Sequence, residues 1–435
     1  MIDKTFIIKT FGCKLNFSES ATIERLLSEK GYYLAKGNTI ADIYIINSCA
    51  VTAMAEKKCK QLINHIKNHY PQAKIVLIGC FSSLSNVSSV ENQVDLMLGS
   101  GNKMKIISEI NTLFVDNNKP KIISTTKDEP FFYAYSIHER TRSFLKIQDG
   151  CDYFCTYCTV PYARGKSRSD SIENVIEHAK RIVKNGVKEI VLSGVNTGDF
   201  KTPKKECFLD LLLELENVTN LQRIRISSIE PNLLTNEIIQ LVSSSNKLLP
   251  HFHIPLQSGS NVILSKMKRR YTCELFANKV IQIKDKMPHA CIVADVIVGF
   301  PTETDELFNE TYQFINSLPL SMLHVFPYSK RPNTVAANME NHLTNACINK
   351  RATALINLSN LKKEFFYNEN IGKTRKVLIE NKIDKKYMSG FTENYIRIRL
   401  PYNKHYINQI IKVKIDAINK ENFICDAEML ENISK

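Results

Sequence analysis

At 435 residues the chain is long enough for two or three domains, at roughly 100 to 200 residues each. A hydrophobic fraction of 43% and a charged fraction of 23% exclude a disordered or fibrous protein, and no stretch is long and apolar enough to span a bilayer. The formal net charge of +14 favours a polyanionic partner, nucleic acid being the simplest, although solubility alone is served by the same excess. The opening Met1 to Phe6 lacks an apolar signal region, so a cytoplasmic location is expected. Twelve cysteines in that compartment point to metal ligation or to burial of single thiols rather than to disulfides.

The chain begins with strand-like runs alternating with helical patterns. Thr5 to Phe11 reads as a strand, Ser20 to Lys30 as a helix ended by Gly31, Ile43 to Asn47 as a strand, Ala53 to His69 as a helix and Ile75 to Gly79 as a strand. That rhythm predicts a parallel α/β sheet. A cysteine follows each strand: Cys13 in Gly-Cys-Lys-Leu-Asn, Cys49 in Asn-Ser-Cys-Ala-Val-Thr, and Cys80 in Ile-Gly-Cys-Phe. The carboxyl ends of parallel strands share one edge, where ligands bind, so three cysteines more than thirty residues apart are expected to converge. Each thiol taken singly would equally suit burial in a core.

Val115 to Tyr135 loses regularity and reads as a linker. After it comes Lys146-Ile-Gln-Asp-Gly-Cys-Asp-Tyr-Phe-Cys-Thr-Tyr-Cys, which places Cys151, Cys155 and Cys158 at spacing CxxxCxxC. Three thiolates can hold three irons of a [4Fe-4S] cluster and leave the fourth open, whereas electron-transfer clusters are usually closed by four cysteines. A zinc knot is the alternative, but zinc needs a fourth Cys or His nearby and the next histidine is the distant His178. Strand patterns then recur at Glu189 to Val195, Arg223 to Ser228, His251 to Gln257, Cys291 to Phe300 and Met322 to Tyr328, separated by helical patterns such as Ser171 to Asn185 and Glu303 to Ser317. With the strand before Cys151 this makes about six βα units, an open relative of a β/α barrel with its chemistry at the carboxyl ends of the strands.

After a lysine-rich helix to about Asn370, strand alternation at Thr374 to Glu380, Tyr395 to Leu400, Ile410 to Asp416 and Phe423 to Asp426 predicts a small β-barrel. Its polar positions are mostly basic (Lys373, Arg375, Lys376, Lys385, Lys386, Arg397, Arg399, Lys412 and Lys414), with Tyr387, Phe391 and Tyr395 interleaved. That mix suits RNA binding by phosphate contacts and base stacking, and it also suits a solvated barrel face.

These residues together resemble the radical S-adenosylmethionine methylthiotransferases: Cys13, Cys49 and Cys80 in an N-terminal α/β domain, Cys151, Cys155 and Cys158 in a partial barrel, and a terminal barrel of the TRAM type. The resemblance covers essentially the whole chain and implies three units: 1–125 with an auxiliary cluster, 136–368 as an open (β/α)6 radical core, and 369–435 as an RNA-binding barrel. It implies two [4Fe-4S] clusters and S-adenosylmethionine as cofactors. The central cluster would bind S-adenosylmethionine at its open iron and generate a 5′-deoxyadenosyl radical, and the auxiliary cluster would carry the methylated sulfur delivered to the substrate carbon. Ser193, Gly194 and Asn196 fall where the superfamily has a turn for the methionyl amine. Ser228, Glu230, Gln257 and Asp295 are placed to hydrogen-bond cofactor or substrate, or, for Glu230 and Asp295, to pair with Arg225 or His253. Arg164, Arg168 and the run Lys266 to Tyr271 suit either phosphate contacts or solvated charge. Cys59, Cys207, Cys273, Cys291, Cys347 and Cys425 match no ligand position and read as structural.

Within the family, Gly12-Cys-Lys-Leu-Asn resembles the Gly-Cys-Lys-x-Asn of enzymes acting on threonylcarbamoyladenosine in tRNA. It is less like the Gly-Cys-Gln-Met-Asn of the isopentenyladenosine group or the Gly-Cys-Pro-Lys-Asn of the group acting on a ribosomal-protein aspartate. Ser48 and Ala50 depart from the usual Asn-Thr-Cys-Thr-Val-Thr without touching the ligand. The expectation is therefore methylthiolation at C2 of threonylcarbamoyladenosine 37 in the tRNA anticodon loop, by a monomer served by an electron donor such as flavodoxin or ferredoxin. The other two substrates remain alternatives, as does an iron-sulfur RNA-binding protein without catalysis.

Overall fold

The structure, a computed structural model, describes residues 4–36, 39–50, 53–84, 88–114, 121–124, 129–137, 141–380 and 386–432. Its N-terminal sheet is parallel throughout: β1 (Thr5–Thr10), β2 (Tyr33–Leu34), β3 (Ile43–Ser48), β4 (Lys74–Gly79), β5 (Leu96–Gly99) and β6 (Lys121–Ile123), in the order β2-β1-β3-β4-β5-β6. Strand β3 is buried at every position because its two faces are covered by different helices. Ile43 and Ile45 pack with Ile23 and Leu27 of α1 (Lys14–Glu29), while Tyr44 and Ile46 pack with Ile63 and Ile66 of α2 (Ala53–His69). The chain therefore leaves β1 and β3, which are neighbours, toward opposite faces, and the crevice between their carboxyl ends is a topological switch point.

Helix α1 starts at Lys14, earlier than the Ser20 expected from periodicity, with Cys13 at the N-cap position. Asn16, Ser18, Glu19 and Ser20 are buried although polar, so this first stretch carries no apolar stripe to read. The expected linker over 115–135 is partly sheet: β6 extends the N-terminal sheet and β7 (Ala134–Tyr135) pairs antiparallel with β8 (Arg142–Lys146). Residues 115–120 and 125–128, and with them the expected boundary at 125, lie outside the described residues.

After β8 come the short antiparallel pair β9 (Gln148–Asp149) and β10 (Arg168–Ser169), then β11 (Glu189–Ser193), β12 (Arg223–Ile226), β13 (His251–Gln257), β14 (Cys291–Val298) and β15 (Met322–Pro327). Sheet β7-β8-β11-β12 meets sheet β13-β14-β15 through bridges Ile224↔Leu248 and Ser228↔His253, giving an open barrel of six parallel strands. Each of these strands is followed by a helix, and five of those helices begin on a Ser or Thr cap: Ser171, Thr235, Thr272, Thr304 and Thr344.

The terminal barrel closes in the order β16 (Thr374–Ile379), β17 (Tyr387–Thr392), β18 (Arg397–Pro401), β20 (Ile424–Asn432), β19 (Ile410–Asn419). Strand β17 was not among the expected strands, and Lys385 lies outside the described residues. Arg223, from the amino end of β12, donates to the carbonyls of Lys376 at 2.6 Å and Phe391 at 3.2 Å and so clamps this barrel to the core. Among the described residues no helix is long and apolar enough to cross a membrane.

Candidate active site

The central triplet sits on a loop leaving β9. Gly150 precedes it with φ +70°, and a Cβ there would lie 2.0 Å from the Lys166 carbonyl oxygen, so only glycine fits. The Cys151 amide donates to Gly165 O at 3.1 Å and the Cys158 amide to Cys155 O at 2.9 Å, which curls the loop around the thiols. Donors already point at the sulfurs: the Tyr153 amide at Cys151 Sγ and the Val160 amide at Cys158 Sγ, each at 3.4 Å, and Arg269 Nη1 at Cys155 Sγ, 3.0 Å. Burial and the neighbouring cysteines push the Cys151 and Cys158 thiols up to about 12, so binding as thiolates needs a cation to replace their protons.

The second triplet forms at the switch point. Cys49 lies against Gly12, whose φ is +99° and whose absent Cβ would meet Cys49 Sγ at 2.9 Å, leaving no room for any side chain beside Cys13. The Cys80 amide donates to Ser48 O at 3.1 Å, holding the ends of β3 and β4 level, and burial raises the Cys80 thiol. Asn16 of the Gly-Cys-Lys-Leu-Asn motif bridges the Cys13 and Cys49 segments: its Nδ2 donates to Phe11 O at 2.7 Å and Ser48 O at 3.0 Å. Among the described residues, the only set of three Cys, His, Asp or Glu ligand atoms within 4.8 Å of one another is His253, Asp295 and His324.

A buried charge network joins the two triplets. Glu19 of α1 accepts from Lys146 of β8 at 3.0 Å, from Arg164 at 3.1 Å and from Lys103, and Asp149 accepts from Lys146 and Arg164, each at 2.8 Å, and from Arg168 at 3.1 Å. Burial alone would raise both carboxyls, yet the surrounding cations hold Glu19 and Asp149 below the usual carboxylate range. Four cations surround two anions here, and Arg164 also feels Cys80 and Cys13. The excess positive charge lies where ligand thiolates would bring negative charge. Arg164 is thus buried rather than facing phosphates or solvent, which corrects the expectation for it, while Arg168 is partly exposed and paired with Asp149.

The residues expected to bind cofactor fall in two groups. Gly194 and Asn196 lie beside Gln148, whose Oε1 accepts from the Val195 amide at 2.9 Å and the Asn196 amide at 3.0 Å. Asn196 Oδ1 accepts from the Glu230 amide at 3.4 Å, and its Nδ2 is buried with no partner among the described residues. Glu230 is paired with Arg269, which carries the group on to Cys155 and to Tyr157 Oη at 3.4 Å. Burial raises the Glu230 carboxyl against the pull of Arg269. Ser193 Oγ turns back to Val191 O, Ser228 gives its carbonyl to Thr197, and Gln257 ends β13 with φ +66°. Gln148 and the contact of Arg269 with Cys155 were missed, although Arg269 stands in the run that seemed suited to phosphate.

Asp295 stands apart from that group. His253 Nε2 and His324 Nδ1 both reach its Oδ1, at 2.6 and 3.1 Å, across adjacent strands of the β13-β14-β15 sheet. Burial would raise Asp295, but the two imidazoles outweigh it and hold the carboxyl low. Lys14, the residue after Cys13, crosses from the N-terminal domain to this side, its Nζ 3.5 Å from Ser227 Oγ. Burial, with Arg225 and Arg142 nearby, lowers the Lys14 ammonium to about 8.

On the terminal barrel, Phe391 and Tyr395 do not offer a stacking surface. Their rings stack on each other at 4.6 Å beneath Arg142 and Arg225 of the core, at 4.9 and 4.8 Å. Tyr387 is exposed with Arg399 over its ring, and Lys376 faces Lys412 directly across the β16–β19 pair. Glu431 lies 3.7 Å from Lys412 and offsets part of the cost of opposing like charges.

An open βα barrel carrying three thiolates after its first strand defines a radical S-adenosylmethionine enzyme. Accordingly, a family model described as the radical SAM superfamily matches residues 145–315, and one described as uncharacterized protein family UPF0004 matches residues 5–99. The chain is 38% identical over 422 residues to the threonylcarbamoyladenosine tRNA methylthiotransferase MtaB of Bacillus subtilis, covering 94% of this chain and 93% of that one. A protein of the same name from Thermotoga maritima is 36% identical over 98% of each chain, and a tRNA-2-methylthio-N(6)-dimethylallyladenosine synthase of Clostridium tetani is 32% identical over 94% and 93%. The solved radical S-adenosylmethionine methyltransferase TsrM of Kitasatospora setae shares the fold, with a TM-score of 0.58 at 13% identity over 77% of this chain and 75% of that one. The chain belongs to the methylthiotransferase family of radical S-adenosylmethionine enzymes, and its cofactors are [4Fe-4S] clusters and S-adenosylmethionine.

Proposed function

We propose that this protein methylthiolates C2 of N6-threonylcarbamoyladenosine 37 in the anticodon loop of tRNA. The observation that carries the reading is the pairing of two separate thiol triplets across one buried network, with Glu19 and Arg164 between them. In this reading Cys151, Cys155 and Cys158 hold the central cluster and Cys13, Cys49 and Cys80 the auxiliary one. Bound there, the cofactors supply one-electron activation of a C–H bond and the sulfur for the new C–S bond.

The protein's part is orientation. Arg269 donates to Cys155 and is fixed by Glu230, so the ligand loop is held from the barrel side. In this reading Ser193, Gly194, Asn196, Ser228, Glu230 and Gln257 serve the cofactor side of the barrel mouth, and Asn196 Nδ2, which has no partner among the described residues, offers a donor to a methionyl carboxylate. Asp295, with its two histidines, faces the substrate side. Lys376, Lys412 and Lys414 on the terminal barrel supply phosphate contacts.

The division of labour follows units 1–125, 136–368 and 369–435, in a cytoplasmic monomer reduced by a flavodoxin or ferredoxin. Nucleoside mass spectrometry of tRNA from a deletion strain tests the reading: 2-methylthio-threonylcarbamoyladenosine disappears and threonylcarbamoyladenosine accumulates. Loss of the methylthio-isopentenyl nucleoside instead, or no change in tRNA, would refute it.

A further inference from the structure

We propose that Lys14 binds the carboxylate of the threonylcarbamoyl group, and so selects the acidic N6 substituent; the inference rests on the function proposed above. Among the described residues Lys14 has no carboxylate in ion-pair range, and its one hydrogen bond is the long contact to Ser227 Oγ at 3.5 Å. A partly buried ammonium left in that condition is costly unless an anion arrives.

The neighbouring acids are engaged by other side chains. Asp295, the acid facing Lys14, has its Oδ1 taken by His253 at 2.6 Å and His324 at 3.1 Å. Arg142 and Arg225 add positive charge and spend themselves on Glu189 and Glu380. His251 is buried in the same group, its ring 4.4 Å from Tyr395, and burial with Arg225 and Lys14 close by keeps it neutral. Lys14 is therefore the cation of this recess with no carboxylate in ion-pair range among the described residues.

Its position fits the substrate. C2 and C6, which bears N6, flank N1 on one edge of adenine, so a base that turned C2 toward the site of Cys13, Cys49 and Cys80 would carry its N6 group along the same edge, toward the side chain beside Cys13. Lys14 is that side chain. A neutral isopentenyl group would leave the ammonium unpaired.

Fluorescence-anisotropy titration of the anaerobically reconstituted protein tests this with anticodon stem-loops. They carry, at position 37, threonylcarbamoyladenosine, its threonyl methyl ester, adenosine or isopentenyladenosine. The wild type should bind the acid about tenfold or more tighter than the ester, the loss of one charge-assisted contact. Lys14→Gln should bind acid and ester alike, and Lys14→Arg should keep the preference, with iron and sulfide content unchanged in both.

Equal binding of acid and ester by the wild type overturns the assignment without any variant, so damage to a cluster in Lys14→Gln leaves the test intact. Retention of the full preference by Lys14→Gln also overturns it. If Lys14→Gln weakens every stem-loop equally and lowers the salt slope by about one, Lys14 contacts a phosphate and the assignment falls. A wild type that prefers isopentenyladenosine or adenosine defeats the functional reading itself, whatever Lys14 does.

Discussion

The two cysteine triplets solve the same ligation problem by opposite routes. Cys151, Cys155 and Cys158 lie in one loop whose shape comes from local hydrogen bonds and one glycine, whereas Cys13, Cys49 and Cys80 meet only because β1, β3 and β4 are neighbours in a folded sheet. The first site is a property of a peptide segment held on a scaffold. The second is a property of the scaffold. Their charge environments differ in the same sense: the loop has a single guanidinium at one sulfur, while the sheet site borders a buried network drawn from both domains.

The sharpest way to break this comparison is to delete one ligand from each triplet. Cys151→Ala should remove about four of eight irons and abolish S-adenosylmethionine cleavage, while Cys80→Ala should remove a similar number and spare cleavage but end methylthio transfer. Iron analysis with assay of 5′-deoxyadenosine reads both, and loss of cleavage in Cys80→Ala would show that the sites are not separable.

A smaller effect is expected from Glu19→Gln, which leaves Lys103, Lys146 and Arg164 crowded around a neutral amide. Breaking such a buried set costs about 3–5 kcal/mol, seen as a fall in the thermal midpoint. Because the Glu19 carboxyl is held low in the folded protein, its contribution is present above the unfolded value of about 4.3 and is lost as pH falls below it. The wild type should therefore lose stability on acidification between about pH 4 and pH 2 more steeply than Glu19→Gln. Equal slopes would remove Glu19 from the network's electrostatics.

The mildest probe is Gly12→Ala, at φ +99° with a Cβ placed 2.8 Å from Cys49 Cβ. It should cost about 1–3 kcal/mol of local strain and lower the iron bound at the sheet site, leaving the loop site filled. Full occupancy of both sites would mean that the switch point is softer than its packing indicates.

Much of this arrangement was legible before the structure. The CxxxCxxC spacing is local, and strands followed by cysteines announce a shared edge because parallel topology puts carboxyl ends together. The six-strand barrel and the terminal barrel were legible from periodicity for the same reason. Glu19, Lys103, Lys146 and Arg164 were not, since charged residues ordinarily read as surface and the partners lie up to 145 residues apart. The pairing of Asp295 with His253 was offered by the sequence, but the addition of His324 required the β14–β15 register, which no spacing encodes. Phe391 and Tyr395 were misread because composition names the residues of a barrel but not the face that meets its neighbour. Cys59, Cys273, Cys291 and Cys425 are buried as expected of structural thiols, whereas Cys207 is exposed at a helix start.

The clamp between the core and the terminal barrel has a consequence for how such a protein can change. Arg223 and Arg225 hold the barrel by the carbonyls of Lys376, Phe391, Thr392 and Glu393, and Asn394 returns a bond to the carbonyl of His289. Main-chain acceptors survive replacement of the side chains that bear them. The outward residues of the barrel are thus free to drift toward a different RNA without unseating it, so mutation can retool the recognition surface while the attachment stays the same.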